Sequence, residues 1–159
     1  MDQFNYFGAN VISLFLIIAG FVIGLGAVTV IDWLGFLGQK SSYWTLATIR
    51  AHRVTKPLIW LGITLLSIGT YLSWQLGILG RFGLERGLLI IMLIINGLYL
   101  SFVISPQLLK REASNQAEQI LPNQIQRRVM LSFIISFFGW WFGLLLFVVS
   151  LVARTIKWF

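Results

Sequence analysis

The 159-residue chain is 58% hydrophobic and only 11% charged, and its formal net charge is +7. This charged fraction is less than half that of an ordinary soluble domain, which excludes a soluble globular protein. The chain has no cysteine, which excludes disulfides, thiolate zinc sites, iron–sulfur clusters and cysteine nucleophiles.

The long apolar runs predict membrane-spanning helices. Lipid cannot satisfy backbone N–H and C=O groups, and runs of this length without alternation do not fit a barrel. The predicted fold is therefore all-α, an integral membrane four-helix bundle with short interfacial helices in the first and third loops. We treat 1–159 as a single transmembrane domain, with spans at about 8–38, 57–79, 84–104 and 129–152.

The first span carries closely spaced glycines and one acid. Gly20, Gly24 and Gly26 form a small-residue face of the kind that lets another helix approach closely. Asp32 follows near the end of the span, and Lys40 is the first basic residue of the chain. A cleaved signal peptide has a basic start, so this first span is predicted to remain in the protein.

The first loop and the second span are separated by a proline. Residues 41–56 are predicted to form a short interfacial helix that begins at Ser41 or Ser42. Pro57 fits the first turn of the second span, where its missing N–H costs nothing.

The third span begins after a tight turn at 80–83, and Glu85 lies in its first turn, where an acid favours the helix dipole. Asn96 and Gly97 interrupt it near the centre. Asn96 is open to two interpretations, substrate binding or a hydrogen bond to a neighbouring helix, and we favour the second. Ser105 and Pro106 are predicted to end the span, and a surface helix follows before Pro122.

The fourth span is rich in aromatic residues. Phe137, Trp140 and Trp141 could stack a pigment or contact a partner helix or lipid, and pigment binding is the less favoured of these interpretations. No cofactor is indicated by the sequence, although a bound lipid or pigment remains open.

The distribution of basic residues predicts the orientation. Most lie at the edges of apolar runs, which favours the lipid bilayer as partner and not nucleic acid. Eight lie in the first and third loops and four on the other side, so both termini are predicted to be non-cytoplasmic.

Asp32 is the strongest candidate for chemistry. An acid in a membrane span is a functional hypothesis by default, here a proton- or ion-coupling group. The alternative, which we favour, is an interfacial ion pair with Arg50, Arg53 or Lys56, because a pair at surface level is cheap to keep charged.

Other chemistry has little support in the sequence. His52 is the only histidine, which excludes bis-histidine haem ligation within one copy and favours a solvated loop residue. Nucleotide loops, HExxH and paired carboxylates are missing, so neither a catalytic residue nor a metal site is predicted.

One family resemblance covers the first half of the chain. The stretches GLGAVTVIDWLGFLG and RVTKPLIWLGITLLSIGTYL resemble the opening helix pair of uncharacterised bacterial four-span proteins, which are loosely similar to copper-resistance D and protoporphyrinogen-oxidase-like membrane families. The resemblance implies the four-helix architecture. Those families carry histidines within their spans, so no active-site residue is transferred to this chain.

The functional prediction is a non-catalytic accessory or scaffold subunit in the bacterial inner membrane or an equivalent membrane. It would pack against other membrane subunits, or self-associate, through the Gly20/Gly24 face and the aromatic face of the fourth span. The alternative is a small transporter or redox- or haem-related membrane protein that uses Asp32 as the coupling acid.

Overall fold

The structure, a computed structural model, describes residues 3–77, 83–114 and 119–156. The long helices are α1 (Gln3–Leu37), α2 (Ser42–Gln75), α3 (Gly83–Tyr99) and α5 (Asn123–Ile156). A π-helical segment (Leu100–Ile104) joins α3 to the shorter α4 (Ser105–Ala113). The described residues form no strand, which confirms the all-α prediction.

Four stretches are long and apolar enough to cross a membrane, as predicted: Phe7–Leu37, Ser42–Gln75, Gly83–Ala113 and Asn123–Ala153. The chain is therefore an integral membrane protein. The long helices form a closed ring in which α1 contacts α2 and α5, while α3 contacts the same two helices. The contact between α1 and α2 is the most extensive.

The first difference from the sequence prediction is at Pro57. The predicted interfacial helix and the second span form one helix, α2, with Pro57 in its interior. Proline cannot donate to the carbonyl one turn earlier, but it does not have to end a helix when neighbouring contacts hold both halves. Here, the half after Pro57 packs on α1 through Gly62 and Gly69, and near the other end of α2 the Thr45 hydroxyl donates to the carbonyl of Gly38, just past α1.

The second difference is at Pro106, which was predicted to end the third span. The helix continues through it to Ala113 because the turn before it is widened, and the Ser105 N–H donates to the Leu100 carbonyl five residues earlier. The predicted surface helix of the third loop is thus α4, which is continuous with the span and shorter than predicted, because it ends at Ala113 and residues 119–122 are not helical. Glu85 lies in the first turn of α3 as predicted. Most of the predicted turn at 80–83 lies outside the described residues.

Two groups of buried side chains form the core. The central group includes Ile17, Phe21, Leu66, Leu93 and Trp140 and is contributed by all four long helices. The second group, with Ile49, Ile104, Leu108, Val129 and Phe133, lies toward the connections that follow α1 and α4. The Gln126 side chain donates to the Gln39 carbonyl at 3.4 Å, so these two connections lie at the same end of the bundle. We call it the basic end, after the residues at 40, 50, 53, 110 and 111.

Candidate functional site

Glycines allow α1 and α2 to approach until their backbones touch. A Cβ added at Gly62 would lie 2.5 Å from the Gly24 Cα, and one at Gly20 would lie 2.8 Å from the Leu66 nitrogen. A Cβ at Gly69 would lie 2.8 Å from the Ser13 carbonyl oxygen. The predicted Gly20/Gly24 face therefore packs against α2 of the same chain and is not a free surface for another subunit.

Gly24 also faces the largest side chain in the core. A Cβ at this position would overlap the Trp140 ring, and Trp140 is only 1% exposed. Trp140 fills the space that a side chain at Gly24 would take, and its edge meets the Phe21 ring at a centroid distance of 6.1 Å. Trp140 was predicted as a pigment or partner contact, but its burial in this core leaves it unavailable for either.

The other predicted packing residues have different environments. A Cβ at Gly97 would lie 3.4 Å from the Trp60 ring, an ordinary contact between α3 and α2. Gly26 is exposed, and a Cβ there would meet no atom within 4 Å. Gly26 therefore takes no part in packing within this chain, although the sequence placed it on the same face as Gly20 and Gly24.

Asn96 forms a buried reciprocal hydrogen-bonded pair with Ser132. The Ser132 hydroxyl donates to the Asn96 Oδ1 at 2.7 Å, and the Asn96 Nδ2 donates to the Ser132 carbonyl at 3.1 Å. Both side chains are buried between α3 and α5. This is the helix-to-helix hydrogen bond that was favoured from the sequence, and Ser132 is the partner that the sequence did not single out.

The predicted ion pair at Asp32 is absent among the described residues. Arg53 pairs instead with Glu112, at 2.8 Å between Nη2 and Oε2, and so links α2 to α4. Arg50 is exposed and Lys56 half-buried. The carboxylate of Asp32 is left with one oxygen, Oδ2, that is buried and accepts no hydrogen bond.

The single histidine lies at the same depth as Asp32. Gly24 lies against Gly62, and Gly38 lies against Thr45, so the antiparallel register places Asp32 opposite the turn of α2 that holds His52. The His52 Nε2 is likewise buried without a hydrogen-bond partner. His52 is half-buried rather than a fully solvated loop residue, because the predicted loop is part of α2.

No protein-family model, curated protein or solved structure matches the chain. The resemblance to copper-resistance D and protoporphyrinogen-oxidase-like families therefore stays a prediction. The chemistry of this protein has to be argued from its own residues.

The exposed aromatic surface of α5 consists of Phe137, Phe138, Trp141 and Phe142. The Phe137 ring contacts the Phe138 ring at 5.7 Å and the Trp141 ring at 6.1 Å between centroids. Trp141 is 45% exposed and lies near the middle of α5. Its indole N–H donates to no described residue.

A buried cation at the other end of the bundle was missed from the sequence. Arg86 was counted there as a loop base, but it is only 7% exposed and lies between α3 and α5. Its Nη2 donates to the Leu146 carbonyl at 3.5 Å, and its Nε has no partner. The sequence feature that could have indicated this burial is the position of Arg86 in the first turn of a helix, where the helix dipole disfavours a cation.

Two cavities inside the described part of the bundle are too small for an organic substrate. One, at the basic end, leaves about 20 Å³ for the centre of a water molecule, and another, beside Arg86, leaves about 10 Å³. An open groove of about 490 Å³ lies on the outside between α3 and α5. The described residues contain no group of three or more His, Cys, Asp or Glu side chains that could hold a metal ion.

Proposed function

We propose that the protein is a non-catalytic subunit that packs against another membrane protein through the aromatic surface of α5. The membrane would be the bacterial inner membrane or an equivalent, with both termini outside the cytoplasm, as the distribution of basic residues favours. Because α1 uses the Gly20/Gly24 face within the chain, the aromatic surface of α5 is the one of the two predicted partner faces that stays exposed.

The observation that carries this proposal is the position of Trp141. Tryptophans exposed to lipid belong at the membrane interface, where the indole N–H reaches water or headgroups. Trp141 is exposed near the middle of α5, where lipid offers no acceptor for that N–H. A carbonyl or hydroxyl of a second membrane chain would supply one, and the surrounding phenylalanines would pack against the same helix.

The test is purification from native membranes in a mild detergent, with mass spectrometry and an absorption spectrum of everything that co-elutes. We expect a stoichiometric partner with the wild type, and at least tenfold less of it with Trp141→Ala. Trp74→Ala is the matched control, because Trp74 is 73% exposed near the end of α2. A colourless homo-oligomer without a partner would refute the proposal, and so would equal loss with the two variants. A bound pigment lost only with Trp141→Ala would refute it by assigning the surface to that pigment.

Asp32 supports a second candidate function, coupling to a proton or another ion. Its buried Oδ2 has no hydrogen-bond partner among the described residues, and Asp32 lies at the level of the turn of α2 that holds His52. The two cavities inside the bundle admit only water-sized groups, so for an ion larger than a proton we place the transport pathway between copies of the chain.

Proteoliposomes containing a pH-sensitive dye test this second candidate. Proton flux above that of protein-free liposomes is expected for the wild type and for Glu112→Gln, a carboxylate control at the surface. Asp32→Asn is expected to abolish the flux. Wild-type flux equal to that of empty liposomes would rule the candidate out.

A further inference from the structure

The side chain of Arg86 is a buried cation that has no ion pair among the described residues. It is 7% exposed. The adjacent Glu85 is exposed and is not within ion-pair distance. A guanidinium keeps its charge in proteins, so burying it costs free energy unless an anion or hydrogen-bond acceptors compensate the charge.

The contacts that Arg86 does make are poor ones. Its Nη2 donates to the Leu146 carbonyl at 3.5 Å, which is long for a charged donor. The same carbonyl already accepts the Ser150 hydroxyl at 2.6 Å. The Phe147 ring lies 5.9 Å from the guanidinium carbon, at the outer limit of a cation–π contact. Arg86 Nε donates to no acceptor in the described part of the chain.

A cavity adjoins this unsatisfied cation. Arg86 and Thr70 are its polar lining residues, and apolar groups including Ile17, Phe21 and Phe147 complete the wall. About 10 Å³ is left for the centre of a water molecule, which is room for a water molecule or a single small ion.

The local electrostatics favour an anion over a neutral water. Arg86 lies in the first turn of α3, whose N-terminal backbone N–H groups add positive potential next to the guanidinium. Arg86 itself lies about one turn inside the start of the helix at Gly83.

We propose that the cavity lined by Arg86 and Thr70 binds a monatomic anion of the halide class. The guanidinium supplies the charge, and the Thr70 hydroxyl supplies a hydrogen-bond donor. This site is separate from Asp32, which lies toward the basic end on α1, and from the aromatic surface of α5.

The test is halide-dependent stability of the full chain in detergent. The protein is prepared in sodium gluconate, and sodium chloride or bromide replaces it at constant ionic strength. Thermal unfolding is expected to show a saturable rise of roughly 5 °C once the halide exceeds its dissociation constant about a hundredfold. Calorimetric titration with sodium bromide should give one site per chain.

Three variants distinguish anion binding at this site from a general effect of salt on stability. Arg86→Met is expected to lose the halide response, and Thr70→Val, which keeps the side-chain volume, to weaken bromide affinity several-fold. Arg50→Met, at an exposed arginine, should keep the full response. If Arg86→Met does not fold, Thr70→Val still tests the site.

Three results would overturn the proposal. The first is equal stability of the wild type in chloride and gluconate. The second is an unchanged halide response in Arg86→Met or in Thr70→Val. The third is equal stabilisation by sulfate, which would indicate a general effect of anions at the surface and not a site for a monatomic ion.

Discussion

The glycine contact between α1 and α2 predicts opposite effects for two substitutions of the same kind. At Gly62, an added Cβ would lie 2.5 Å from the Gly24 Cα and 2.7 Å from the Gly24 nitrogen. Carbon atoms pack at about 3.5–4.0 Å, so the helices would have to separate by about 1 Å at this level. Backbone atoms cannot rotate away as a side-chain tip can. At Gly26, the same Cβ meets nothing within 4 Å.

The magnitudes follow from this geometry. A separation of 0.5–1 Å forfeits about a quarter to a half of the dispersion attraction between facing atoms, and overpacking typically costs about 1–3 kcal/mol. Replacing glycine by alanine within a helix stabilises the helix by up to about 1 kcal/mol, which offsets part of that cost. We therefore expect Gly62→Ala to lower the free energy of unfolding by about 1–2 kcal/mol, and Gly26→Ala to leave it unchanged or raise it.

The assay is unfolding by sodium dodecyl sulfate in mixed micelles, followed by circular dichroism and tryptophan fluorescence. Wild type, Gly62→Ala and Gly26→Ala are compared at the same lipid-to-detergent ratio. The reasoning fails if Gly62→Ala is as stable as Gly26→Ala, because the contact between the two backbones would then not limit the approach of α1 and α2.

Two further predictions concern polar contacts between helices. In a double-mutant cycle with Asn96→Leu and Ser132→Ala, we expect a coupling energy of about 0.6 kcal/mol and at most about 1.7 kcal/mol. This is the range measured for hydrogen bonds between helices in a membrane protein. Additive effects of the two substitutions would show that the hydrogen-bonded pair contributes nothing to stability. Glu112→Gln should change the unfolding free energy by less than about 1 kcal/mol, and less still in high salt, because Arg53 is 62% exposed. A larger loss that persists in salt would show that this ion pair is shielded from solvent.

The number of helices and their approximate positions could be predicted because each apolar run is long enough to span a bilayer. The sequence could not predict which helix packs against each helix face. Glycines at 20 and 24 indicate that some helix approaches closely, but the spacing is the same whether that helix belongs to this chain or to another. Only the fold shows that Gly62 and Gly69 of α2 complete the contact.

The fourth span shows a second limit of sequence reasoning. It is apolar around its whole circumference, so no hydrophobic face distinguishes Trp140 from Trp141. The structure buries the first and leaves the second 45% exposed. Arg86 was misinterpreted for a related reason. A basic residue near a helix end is usually an anchor at the membrane surface. Whether Arg86 is buried depends on how α3 packs on α5, which the sequence does not show.

The glycine contact also bears on how the protein is made. The contact is formed by α1 and α2, and the second of these helices ends at Gln75. The contact can therefore be completed as soon as these two helices have been synthesised and inserted. Trp140 is synthesised 65 residues after Gln75 and packs on the face of α1 that carries Gly24. We expect the α1–α2 hairpin to form in the membrane as an early folding unit, and the core side chains of α5, Trp140 and Phe147, to be the last large ones to reach their positions.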